Sequence, residues 1–223
     1  MNDYIKTLKA EFKSKSNPEI AEGQKAYMKN NFEFYGIQAP VRREIQKVFL
    51  NKKYLPPKNE LHQTVKILWN EPQREFQYFA QEFVFKYSKY FEKTDLDLFK
   101  YMLTHKSWWD TVDFISTKIL GSFFLNFPEE RKNYIEHCLK SQNIWLQRSA
   151  ILFQLNYKNN LDTELLSYVI KSLSDTDEFF INKAIGWILR QYSHTNPQWV
   201  IEFVNNNKLS KLSRKEALRL LNL

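Results

Sequence analysis

Five side chains spaced 35 residues apart, Arg43, Tyr78, Asp113, Arg148 and Lys183, form a column that is polar or basic in every copy. Three of them are cations suited to phosphate, while the central one is a carboxylate, which repels it. Trp109 precedes Asp113 by four residues and Trp187 follows Lys183 by four, so each indole sits one helical turn from the column. Lys47, Arg74 and Arg190 add positive charge nearby. Asp113 has two readings. It is an ion-pair partner of Arg148 or Lys106, or it faces positive charge on a ligand or charge that develops during a reaction. The tryptophans likewise have two, covers for a repeat junction or faces for sugars and bases.

Composition removes other chemistries. The chain has 223 residues, with 33 Lys+Arg against 25 Asp+Glu and a net charge of +8. A single cysteine, Cys138, excludes a disulfide scaffold, a CxxC pair and an all-cysteine metal site. Four scattered glycines form neither a Walker A loop nor GxGxxG. No HExxH or carboxylate cluster at ligand spacing occurs, so neither a metal nor a cofactor is expected and a metal-dependent nuclease is disfavoured. There is no long uncharged apolar run, and MNDYIKTLKAEFKSK reads as a charged amphipathic helix rather than a signal peptide. A soluble cytoplasmic protein is expected. The excess charge alone fits a nucleic-acid partner or plain solubility equally well.

The elements that must position the column are helical. Apolar residues recur at three- and four-residue spacing, and Asn17-Pro18, Pro56-Pro57, Glu71-Pro72, Phe127-Pro128 and Asn196-Pro197 mark boundaries, predicting about ten to twelve helices. Residues 52–58 are the most loop-like stretch. The 35-residue register also aligns an apolar stripe: Ile45, Ala80, Ile115, Ala150 and Ile185, with Val41, Phe76, Thr111, Leu146 and Ile181 four residues earlier. No such hairpin buries its stripe alone, so stacked neighbours must complete the core. This predicts an all-α solenoid of HEAT-like repeats, one domain over 1–223, with an imperfect last copy around Leu209–Ala217. The residues leave open a non-catalytic scaffold that binds nucleic acid or protein on such a surface.

The strings Lys106-Ser107-Trp108-Trp109-Asp110-Thr111-Val112-Asp113, Asn143 to Gln154 and Glu178 to Trp187 resemble the AlkD family of HEAT-like DNA alkylation repair glycosylases. Ala26 to Asn30 and Gly36 to Pro40 resemble it too, and the likeness runs from about Tyr4 to Arg219. The resemblance implies a right-handed solenoid with a concave DNA-binding groove. It also implies a monomeric, monofunctional glycosylase that removes cationic N3- and N7-alkylpurines from duplex DNA without a cofactor, nucleoid-associated when acting on DNA. By that resemblance Asp113 is the catalytic carboxylate, and Trp109 and Trp187 cradle the deoxyribose. Arg148 would grip phosphate, and Tyr27, Gln38, Arg43, Phe179, Phe180, Lys183 and Arg190 would line the groove. Ala39 stands where the family has a threonine. Alkylation already makes the purine a good leaving group, so no general acid is needed. A fixed carboxylate would stabilise the sugar oxocarbenium ion and position the attacking water.

Overall fold

A computed structural model describes residues 3–221 of the chain. The elements fall into two compact units, Met1–Asp95 and Leu96–Leu223. In the first are α1 (Asp3–Ser14), α2 (Pro18–Tyr27), α3 (Ala39–Phe49), α4 (Leu61–Asn70) and α5 (Arg74–Lys86). From α6 (Asp95–Thr104) onward come α7 (Trp109–Phe114), α8 (Gly121–Asn126), α9 (Glu130–Lys140), α10 (Ile144–Leu152), α11 (Thr163–Leu173), α12 (Phe179–Ser193), α13 (Pro197–Asn206) and α14 (Lys211–Ala217). Among the described residues there is no strand, and the helices pack in the repeat-like manner of an α-solenoid.

The sequence period is visible in where helices begin. Ala39, Arg74, Trp109, Ile144 and Phe179 are all first helical residues, each 35 after the last. Arg43, Tyr78, Asp113, Arg148 and Lys183 are thus the fifth residue of α3, α5, α7, α10 and α12. Capping chemistry fixes several neighbouring starts. The Asn143 side-chain oxygen Oδ1 accepts the N–H of Trp145 at 2.9 Å and of Leu146 at 3.2 Å, while Asn17, Asp162, Asn196 and Ser210 cap α2, α11, α13 and α14. Pro18, Pro40 and Pro197 sit in first turns, where no amide hydrogen is missed.

Each unit buries its own aromatic core. Phe12, Phe76, Phe79, Phe83 and Trp69 are fully buried in the first, as are Phe99, Phe123 and Phe124 in the second. Each such ring contributes about 1.5–3 kcal/mol. The predicted stripe is buried in the later copies, where Ala80, Ile115, Ala150 and Ile185 are at most 2% exposed. The first copy departs. α3 buries Arg42, Gln46 and Phe49 and exposes Val41 and Val48, because Arg42 and Gln46 turn inward to share the Glu82 carboxylate at 3.2 and 2.9 Å. That polar network replaces the apolar stripe.

Two glycines carry specific geometry. Gly36 (φ +84°) opens a turn in which the amides of Tyr35, Gly36 and Ile37 all donate to the buried Glu75 carboxylate at 3.1–3.2 Å. Gly186 lets α12 pass close to α14: a β-carbon there would lie 2.5 Å from Glu216 Cβ and 3.0 Å from the Ser213 carbonyl. Gly186→Ala is therefore expected to cost about 1–3 kcal/mol by overpacking. Thermal denaturation checks this, and an unchanged Tm would show that α14 yields freely.

Candidate active site

The site lies within the second unit, around the first turns of α7, α10 and α12. The approach to α7 is constrained: Lys106 adopts φ +49° and the Ser107 hydroxyl donates to the Leu103 carbonyl at 2.6 Å. Trp108 then precedes the helix, Trp109 is its first residue, and Asp113 follows one turn later on the same face. Trp109 is half-buried, as is Trp187 in α12.

Adjacent members of the column meet. Arg148 Nε donates to Asp113 Oδ1 at 2.7 Å and Nη2 donates to Oδ2 at 3.0 Å, a fork across one repeat. Nη1 donates to the Phe180 carbonyl at 2.5 Å, so α7, α10 and α12 are tied through one guanidinium. The Arg148 side chain is 6% exposed and that of Asp113 19%. Of the two sequence readings for Asp113, the ion pair with Arg148 is present. It does not exclude the other, because the Asp113 side chain is not fully buried. Burial pushes the Asp113 carboxyl above its ordinary value, Arg148 pulls it back, and Asp110 adds a smaller upward push.

An aromatic cluster stands beside the pair. The Trp108 ring lies 5.6 Å from Trp145 and 5.4 Å from Phe180, with Trp145 and Phe180 4.9 Å apart, and exposed Phe179 packs edge-on to Phe180 at 5.4 Å. Phe180 thus supplies a ring to the cluster and a carbonyl to Arg148. Trp108 and Trp145 lie within the motif strings of the sequence, Trp145 also in an apolar helical run, with no site role attached to either. Their signal was the same register, since Trp108 shares a column with Asn143 and Glu178, directly before each helix.

Behind Asp113 the helix changes type. Residues Ile115–Leu120 form a π-helical segment that joins α7 to α8. Such a turn displaces carbonyls from their usual partners. The Ser116 hydroxyl donates to the Val112 carbonyl at 2.6 Å, and Thr117 to that of Asp113 at 2.7 Å. Asn156 Nδ2 reaches the Thr117 carbonyl at 3.1 Å and the Tyr157 hydroxyl that of Gly121 at 2.7 Å. The backbone carrying Asp113 is thereby gripped from the following helix hairpin.

The remaining predicted residues divide by unit. Lys183 and Arg190 do not stand free. Both bind Glu216 of α14, at 2.8 and 2.5 Å, a carboxylate the sequence reading had not singled out. Those two cations hold the Glu216 carboxyl below its usual range. In the first unit Arg43 is exposed, while Tyr27 (68% exposed) and Gln38 line a cavity of about 600 Å3 with Met28, Phe34, Arg42 and Tyr78. Among the described residues no group of three or more His, Cys, Asp or Glu is placed to hold a metal ion, and no helix is long and apolar enough to cross a membrane.

The second unit thus presents a largely buried, arginine-gripped carboxylate beside an aromatic cluster on an all-helical repeat. The sequence profile of the DNA alkylation repair enzyme family matches residues 8–221, and this chain belongs to that family. It is also similar to a solved structure described as a predicted DNA alkylation repair enzyme from Enterococcus faecalis, with 37% identity and a TM-score of 0.86, covering 93% of this chain and 97% of that one. No curated protein sequence matches.

Proposed function

We propose that this chain is a DNA glycosylase of the AlkD type, which hydrolyses the N-glycosidic bond of cationic N3- and N7-alkylpurines in duplex DNA. The observation that carries the reading is the Asp113 carboxylate, fixed through both oxygens by Arg148 on a side chain that is not fully buried. A preorganised negative charge favours a transition state that gathers positive charge on deoxyribose. Alkylation supplies the leaving group, so the proposal needs no acid and no metal. Trp109 and Trp187 would add attraction of about 0.5–2 kcal/mol each to the cationic sugar. Arg148 acts first as the positioning group for Asp113, and one N–H on each of its Nη atoms is left to meet a phosphate.

The direct test is to incubate the protein with methylated genomic DNA and identify released bases by chromatography. Free 3-methyladenine or 7-methylguanine is expected. DNA that is bound but never depurinated would instead favour the non-catalytic scaffold.

Glu216 makes a separate prediction about binding. Its carboxylate neutralises Lys183 and Arg190, the cations of α12 that would face phosphate. Glu216→Gln should tighten binding to unmodified DNA, and should steepen the fall of log K with log salt by up to about 2 as two cations become free to release counterions. Titrations at several salt concentrations read this. An unchanged slope would place Lys183 and Arg190 off the DNA backbone.

A further inference from the structure

A second basic concavity lies in the first unit, on residues the proposed chemistry does not use. The loop 51–57, the end of α3 and the turn after α5 enclose a cavity of about 570 Å3, lined by Lys52, Lys58, Lys86, Lys89, Tyr87 and Tyr90 over Leu50, Leu55 and Pro56. Four of these residues are lysines and none is acidic. Lys58 is committed to Asp95, through contacts at 2.7 and 2.8 Å. Among the described residues Lys52, Lys86 and Lys89 make no ion pair, although Lys9, Lys25 and Lys183 each find a carboxylate at 2.7–2.8 Å. Lysine in a last helical turn offsets the helix dipole, and that accounts for Lys86. It does not account for Lys52, which lies beyond the end of α3, and Lys89 sits in the single 3-10 turn Ser88–Tyr90, too short to build a comparable dipole.

The walls are built rather than loose. The Tyr87 hydroxyl donates to the Pro56 carbonyl at 2.5 Å, Lys53 N donates to Asn51 Oδ1 at 3.0 Å, and the Lys58–Asp95 pair holds the far end of the loop. Pro56 and Pro57 stiffen the segment between. Over this frame Tyr90 is 60% exposed, and Tyr54, on the same loop, is 55% exposed. Apolar floor, unpaired ammonium groups and an exposed aromatic face together suit a ligand that is anionic at one end and planar at the other. The volume lies within the range of pockets that take nucleotide-sized ligands.

We propose that this cavity binds one nucleotide of an unpaired DNA strand, its phosphate on Lys52, Lys86 and Lys89 and its base against Tyr90. Lysines tracking a backbone beside a stacking face are the elements of single-strand recognition. The site is independent of Asp113, so it stands or falls apart from the proposed glycosylase activity.

The test measures binding of a fluorescent oligothymidylate and of a blunt duplex of equal length by anisotropy over a range of salt. Two variants are compared with the wild type: Lys52→Gln/Lys86→Gln/Lys89→Gln and Tyr90→Ala. All four substituted side chains of the cavity are exposed, so folding is expected to be retained, and circular dichroism melts check this. The triple variant should bind the single strand at least tenfold more weakly, with a salt slope shallower by about 0.7, the counterion release of the one phosphate it no longer neutralises. Tyr90→Ala should weaken single-strand binding at least about fivefold, and the duplex little. Equal losses on single strand and duplex, or unchanged single-strand affinity in either cavity variant, would overturn the proposal.

Discussion

Asp113→Asn is expected to lose about 100- to 1000-fold in the single-turnover rate of 7-methylguanine release, the usual cost of deleting a well-placed charge-stabilising group. Asparagine keeps the size of the side chain and one oxygen for the Arg148 fork, whose contacts lie at 2.7 and 3.0 Å. What it removes is the negative charge. If that charge stabilises the sugar cation, the loss falls on the chemical step and DNA affinity moves little. Release at the wild-type rate would end the mechanism, and a matching loss of affinity would make Asp113 a binding residue. Asp110 is the control. It lies near enough to push the Asp113 carboxyl upward, so Asp110→Asn removes a like charge and favours ionised Asp113. Its release rate should stay within a few-fold of wild type, a pattern that general loss of acidic charge near the DNA would not give.

The column that suggested this site was legible because solenoid packing converts sequence period into proximity. Helices that start every 35 residues place their fifth residues side by side, so the Asp113–Arg148 pair joins residues 35 apart. Three features were not legible. The inward turn of Arg42 and Gln46 depends on Glu82, 40 and 36 residues away, and outweighs the local apolar pattern of Val41 and Val48. The π segment after Asp113 has the same composition as an ordinary amphipathic helix. The Thr117 carbonyl within it and the Gly121 carbonyl directly after it are met by Asn156 and Tyr157, partners 39 and 36 residues on. Glu216 lies in the short final copy, where α14 starts 32 residues after α12 instead of 35, so nothing in the column pointed to its hold on Lys183 and Arg190. Each miss is a polar tertiary contact. Periodicity reports which face is apolar, whereas buried charges choose partners by reach.

Arg148 separates positioning from phosphate binding through its effect on pH. Burial already raises the Asp113 carboxyl from its ordinary 3.8, and Arg148 is the main opposing influence. The carboxylate form does the proposed work, so activity should rise with pH through that raised value. Arg148→Gln removes the opposing charge, and its acid limb should move to higher pH, with a loss of tenfold or more at neutral pH partly recovered in alkaline buffer. Arg148→Lys should fall between, since an ammonium keeps the charge but loses the planar fork and the tie to Phe180. Stability runs in the opposite direction. With the folded-state value above the unfolded one, the Asp113 contribution is present below about pH 3.8 and is lost as pH rises through the raised value. Widening that window should make the Tm of Arg148→Gln drop more steeply than wild type between acid and neutral pH. Breaking a buried pair costs about 3–5 kcal/mol when one charge is left alone, so Arg148→Lys is the variant to rely on if the glutamine form melts near assay temperature. A residue that only grips phosphate predicts something different: weaker binding to alkylated and plain DNA alike, a salt slope lowered by about 1, and an acid limb that stays where the wild type has it. An unmoved limb in both variants would take Arg148 out of the reaction and leave it on the backbone.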